Sequence, residues 1–100
     1  MVNELNEKEF ANVIKDGKVL VDCYATWCGP CRMLSPIIED LAKEINDYKF
    51  YKLDVDNASE IPAKFGIMSI PTLLLFENGE LKEKLVGFMT KEELKSILNR

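Results

Sequence analysis

Cys28 and Cys31 are the residues of this chain whose type and spacing point most directly to chemistry. They lie in the run Trp27-Cys28-Gly29-Pro30-Cys31, between a β-prone stretch and a long helical pattern. If the helix begins near Cys28, the two thiols sit one turn apart. Residues so placed have Cβ atoms roughly 5–6 Å apart, slightly beyond the 3.5–4.5 Å or so that a disulfide spans. A small adjustment of the first turn closes the bond, so the pair can switch between dithiol and disulfide with little backbone movement. A helix N-terminus also offers free N–H groups and the positive end of the helix dipole. Both stabilise a thiolate and lower its pKa. Cys28, at the end, is the expected exposed nucleophile. Cys31, one turn in, is expected to be more buried and to act as the resolving thiol. Gly29 is expected to permit a tight turn, and Pro30 to preset a helical φ early in the helix. Arg32 adds a positive charge nearby, although at a surface it contributes little.

Other uses of the pair fit less well. A loop this short stabilises a fold by about 2 kcal/mol in the chain-entropy picture, against about 3 kcal/mol for fifteen residues, so it is a poor staple. Structural zinc asks for four Cys or His ligands; the chain has three cysteines and no histidine, which leaves only Cys23 beside the pair. The missing histidine also excludes His-based acid–base catalysis. An odd cysteine count argues against a secreted disulfide framework, and in a reducing compartment a close pair is more often catalytic or metal-binding than structural. The net charge of −4 and the lack of a basic run argue against a nucleic-acid partner. No basic amphipathic helix suits a membrane surface, and no apolar run approaches the roughly 20 residues of a membrane span. The segment from Met1 to Glu7 has no signal-peptide pattern. The cytoplasm is therefore the expected compartment.

The elements that must position the pair alternate along 100 residues, a length that suits one domain over 1–100. Asn6 and Glu9 form a capping box for a first helix, with Leu5 and Phe10 as its staple and Gly17 suiting its stop. Val19 to Ala25 is nearly all apolar and reads as a buried central strand. From about Cys28 to Ile45, Met33, Leu34, Ile37, Ile38, Leu41, Ala42 and Ile45 recur at helical spacing. Pro36 lies inside that helix and is expected to bend it. Phe50 to Val55 predicts a strand, and 58–65 a weaker helix ending near Gly66. Thr72 to Phe76 and Leu81 to Val86 predict a hairpin around Asn78-Gly79. Thr90 and Glu93 form a second capping box, with Met89 and Leu94 as its staple. Val2 to Leu5 can add a short edge strand. The strands joined by the long helix are expected to be parallel. The reading is an α/β fold: a mixed sheet of four to five strands with helices on both faces.

The pentapeptide around the cysteines, after a strand containing Val21-Asp22 and before a helix carrying Pro36, resembles the active site of the thioredoxin family. Ile70-Pro71-Thr72 before an apolar strand, then Asn78-Gly79 and Val86-Gly87, continue the resemblance over nearly the whole chain. The resemblance implies the thioredoxin fold and a protein-disulfide reductase acting through a Cys28/Cys31 dithiol. It implies no bound cofactor beyond that redox-active disulfide, disulfide-containing proteins as targets, a thioredoxin reductase as electron source, and a monomer. It assigns Asp22 as a buried acid exchanging the Cys31 proton, with Lys52 near it. From the residues alone, Asp22 is equally a strand-end carboxylate and Lys52 a snorkelling surface lysine. Pro71 is trans on frequency alone, whereas the family has a cis proline here that turns Ile70 toward the cysteines. Trp27, Gly29, Pro30, Ile70, Pro71, Gly87 and Phe88 would surround Cys28 as a substrate-binding surface.

Several positions depart from the family's commonest pattern. Cys23 stands where an aromatic residue is usual, Tyr24 where tryptophan is frequent, and Arg32 where lysine is. Cys23 is expected on the opposite sheet face from Asp22, as a space-filling thiol or, alternatively, an extra redox thiol. Two further readings stay open beside the oxidoreductase: a binding module that uses the fold without turnover, and a metal-binding protein.

Overall fold

The computed structural model describes residues 2–100. In chain order the elements are β1 (Asn3–Glu4), α1 (Glu7–Ile14), β2 (Lys18–Tyr24), α2 (Gly29–Glu44), β3 (Tyr48–Asp54), α3 (Glu60–Lys64), β4 (Thr72–Glu77), β5 (Glu80–Val86) and α4 (Lys91–Leu98), with a short 3-10 turn at Val55–Asn57. The strands form one sheet in the order β1-β3-β2-β4-β5. β3 is parallel to both β1 and β2, while β4 is antiparallel to both β2 and β5. This is the mixed sheet that the pattern predicts, with five strands where four to five were expected.

Side-chain alternation divides the core in two. Leu20, Phe50, Leu73 and Leu75 face α2 and α4, packing on Leu34, Ile38, Leu41, Leu94 and Leu98. Val19, Val21, Leu53, Leu74 and Phe76 face the other way, against Phe10 and Ile14 of α1 and Ile61 of α3. Because both faces of β2 are covered, residues 19–23 are all buried. That burial decides the chemistry of Asp22.

Local signals set most element ends. Both capping boxes form: Asn6 accepts from the Glu9 N–H at 3.0 Å, and Thr90 from the Glu93 N–H at 3.2 Å. Asn78 and Gly79 both have positive φ, 51° and 87°, as a tight hairpin turn demands. Thr90→Ala is expected to cost about 1 kcal/mol, the usual worth of an N-cap, read by urea denaturation. An unchanged midpoint would mean that the cap adds nothing to α4.

Three expectations need correcting. α1 stops at Ile14 with Lys15 as its cap. Gly17 is instead the corner before β2, donating to Asn78 Oδ1 at 2.8 Å and accepting from the Asn78 N–H at 2.9 Å. The single helix expected over 58–65 is a 3-10 turn followed by the shorter α3. The Asp54 side chain accepts from the Asp56 N–H at 3.0 Å and turns the chain first. Met33 is 62 % exposed rather than part of the α2 core face. It lies at the edge of the helical stripe, where the sheet no longer covers it.

Candidate active site

β2 leads through Ala25, Thr26 and Trp27 to Cys28, which is the N-cap of α2. The cap backbone is extended (φ −90°, ψ 115°), and its Sγ accepts from the Cys31 N–H at 3.2 Å. Cys28 N–H donates to Ala25 O at 3.2 Å and Arg32 N–H to Cys28 O at 3.2 Å, pinning the turn. Arg32 also donates to Thr26 O at 2.9 Å, so its side chain ties the connector to the helix. The two cysteines are disulfide-bonded, with Cα atoms 5.3 Å apart, within the usual range for such a bridge. Cys28 caps a 16-residue helix, so free N–H groups and the dipole face the sulfur.

The expected contrast in exposure between the two is almost absent: Cys28 is 5 % exposed and Cys31 3 %. Both pack with Ala25 in a small cluster that Tyr24, Val55 and Ile70 adjoin. Gly29 has no positive φ, and a Cβ on it would meet nothing within 4 Å. The turn therefore does not require glycine, contrary to expectation; the missing side chain leaves the approach beside Cys28 open. Pro30 lies in the first turn of α2, where its absent N–H costs nothing.

The Ile70–Pro71 bond is cis, not the trans form that frequency alone suggests. Pro71 O accepts from the Gly87 N–H at 2.8 Å, and Gly87 adopts φ +95°, so the end of β5 is tied to this loop. Trp27, 67 % exposed, and Ile70 line a groove of about 280 Å³ with Val55, Pro62, Ile67 and Met68. Phe88 is exposed beyond Gly87, and neither residue lines this groove. Sequence reasoning missed two contributors here. Asp56 accepts from Trp27 Nε1 at 2.8 Å and fixes the indole. Met68, 97 % exposed, stands at the lip. The only signal for Met68 in the sequence is its place two residues before Ile70-Pro71; nothing local marks Asp56 as the indole's partner.

A second cleft, of about 250 Å³, joins Asp22 to Cys31; Tyr24, Arg32, Ser35 and Lys52 are among the residues of its wall. Asp22 is buried, and its Oδ1 has no hydrogen-bond partner among the described residues. Burial pushes its pKa up from 3.8 to about 7; Lys52 opposes the rise and Glu4 adds to it. Lys52 faces Asp22 across the β2–β3 ladder, and its Nζ lies 5.9 Å from the centre of the Tyr24 ring. Cys23 points to the other face, buried among Val19, Val21 and Leu53. Burial, with a smaller contribution from Asp22, pushes its thiol up to about 12, so it is protonated and inert. It cannot join the pair in a shared metal site.

A family model described as Thioredoxin matches residues 1–100. A protein named thioredoxin from Listeria monocytogenes is 45 % identical over 100 % of this chain and 98 % of its own length. One from Bacillus subtilis is 44 % identical over 94 % of the chain and 91 % of its own length. Another, from Mycoplasmoides gallisepticum, is 49 % identical over 81 % of each. The chain belongs to the thioredoxin family. Thioredoxins are dithiol–disulfide oxidoreductases, and the bonded Cys28–Cys31 pair carries that chemistry here. Members act on disulfide-containing proteins and need no cofactor. No helix among the described residues is long and apolar enough to cross a membrane.

Proposed function

We propose that this thioredoxin works in the reducing direction, as a single domain over residues 1–100 and as a monomer in the cytoplasm, with a thioredoxin reductase as its electron source. The observation that carries the reading is the placement of Cys28 Sγ at the N-terminus of α2, one turn from its bonding partner. In the reduced protein, Cys28 thiolate attacks a target disulfide. A Cys28–target disulfide forms, and the first target thiolate leaves and takes a proton from solvent. Asp22 accepts the Cys31 proton across their shared cleft. Cys31 thiolate then attacks Cys28 Sγ; the mixed disulfide breaks, and the second target thiolate leaves and is protonated. The target gains two electrons and the Cys28/Cys31 dithiol loses two. No bound cofactor takes part.

Each remaining residue has a role in this scheme. Lys52 tempers the proton affinity of Asp22. Trp27, Ile70 and Pro71 present an apolar bed for an extended target segment, while Gly29 and Pro30 leave Cys28 open to it. Gly87 holds the Pro71 carbonyl, and Phe88 extends the apolar rim.

An equilibrium titration of the couple against glutathione buffers tests the direction. The expected result is a couple already largely oxidised in buffers at the cytosolic glutathione poise of roughly −220 to −260 mV, because a reducing dithiol gives its electrons to glutathione disulfide. A couple that stays dithiol in buffers more oxidising than that poise reverses the proposed direction.

A further inference from the structure

Three charged side chains form a row across the sheet, and only two of them have a part in the scheme above. Glu4 of β1 pairs with Lys52 of β3, and Lys52 pairs with Asp22 of β2. Register partners in a sheet share a face. The residues two positions earlier, Val2, Phe50 and Leu20, all lie in the α2-facing core, which fixes the face for this row. Tyr24, two residues after Asp22, lies on the same face. Its hydroxyl donates to the Glu4 carboxylate, 2.9 Å from each oxygen. Its ring passes beside the Lys52 ammonium on the way. Lys52 therefore stands between two carboxylates, one buried and one tethered.

We propose that Glu4, held by Tyr24, is a positioning residue for the resolution step: it competes with Asp22 for the charge of Lys52 and so governs how Asp22 exchanges the Cys31 proton. The proposal rests on the reading of Asp22 as the acceptor of that proton. The groups facing Asp22 are Lys52 from β3, Glu4 from β1, Tyr24 from its own strand, and Cys31 and Arg32 from α2; its β4 partner, Leu73, is apolar. Removing the Glu4 charge leaves Lys52 acting on Asp22 unopposed, so Asp22 ionises at lower pH. Strand spacing puts Glu4 about 10 Å from Asp22, where one charge moves a titration by roughly 0.3–1 pH unit between bulk-water and protein-surface screening.

The test uses the full chain in its reduced form. The Asp22 carboxyl is titrated by carbon NMR, and the rate of mixed-disulfide resolution is followed from pH 5 to 9. Glu4→Gln keeps an oxygen for the Tyr24 hydroxyl and removes only the charge. It is expected to lower the Asp22 midpoint and to carry the acid limb of the resolution rate with it. Tyr24→Phe is expected to shift both in the same direction by less, because a released Glu4 moves into solvent. An Asp22 midpoint unchanged in Glu4→Gln overturns the proposal, and a wild-type midpoint in Tyr24→Phe overturns the tether. Asp22→Asn separates the two readings. Loss of its limb together with an unmoved Glu4→Gln limb condemns only the role of Glu4; a limb that survives Asp22→Asn condemns the proton-acceptor reading itself.

Discussion

Cys28→Ser is expected to abolish disulfide reduction, while Cys31→Ser stops the protein midway, covalently joined to its target. The asymmetry follows from the site. Cys28 Sγ sits at the end of α2 beside the open approach left by Gly29, and it must make the first bond. A serine hydroxyl there is not ionised near neutral pH, so turnover is expected to fall by roughly 10³-fold or more, on the scale seen when an activated nucleophile is removed. Cys31→Ser leaves that first attack intact but removes the thiol that breaks the mixed disulfide. Mass spectrometry after mixing the reduced variant with a disulfide protein is expected to show a stoichiometric adduct at Cys28. An adduct that fails to form, or full turnover by Cys28→Ser, would falsify the assignment of roles.

Asp22→Asn is expected to make the protein more stable and slower at once. The carboxyl has a folded pKa of about 7 against 3.8 for a free side chain, because burial disfavours its charged form. Below pH about 4 it is protonated in both states and costs nothing. Between about pH 4 and 7 the unfolded chain loses this proton and the folded chain keeps it, so stability falls as pH rises. Above about pH 7 both are ionised and the full penalty stands, roughly 4 kcal/mol for a rise of this size. Asparagine has no charge to bury. The variant is expected to gain on the order of 2–4 kcal/mol at pH 8 and far less at pH 4, read by denaturant unfolding at both pH values. Resolution of the mixed disulfide is expected to slow on the order of 10²-fold at neutral pH, the low end for loss of an acid–base group. A gain that does not depend on pH would mean that the charge of Asp22 is not what the fold pays to bury.

The sign of that prediction also explains why the residue resisted a sequence reading. A lone Asp in an apolar strand reads equally as a strand end or a buried acid. What separates the two is the cover of α2 on one face and α1 and α3 on the other, and that cover comes from residues distant in the chain. Lys52 was open for the same reason: its place opposite Asp22 is a register between strands joined by the whole of α2. Gly29 shows the converse. The residue type suggested a tight turn, but Cys28 already makes that turn with an ordinary extended backbone.

Alone, the amino-acid sequence determined the redox pair and its seat at a strand–helix junction, the two capping boxes, the Asn78-Gly79 turn and the α/β order. Each depends on residues within about a turn of one another, where spacing and side-chain chemistry act directly. Only the tertiary structure decided the burial of Asp22, the Trp27–Asp56 contact and the Glu4–Lys52–Asp22 row. Those features depend on strand register and on exclusion of water, and both arise when segments far apart in the chain pack together.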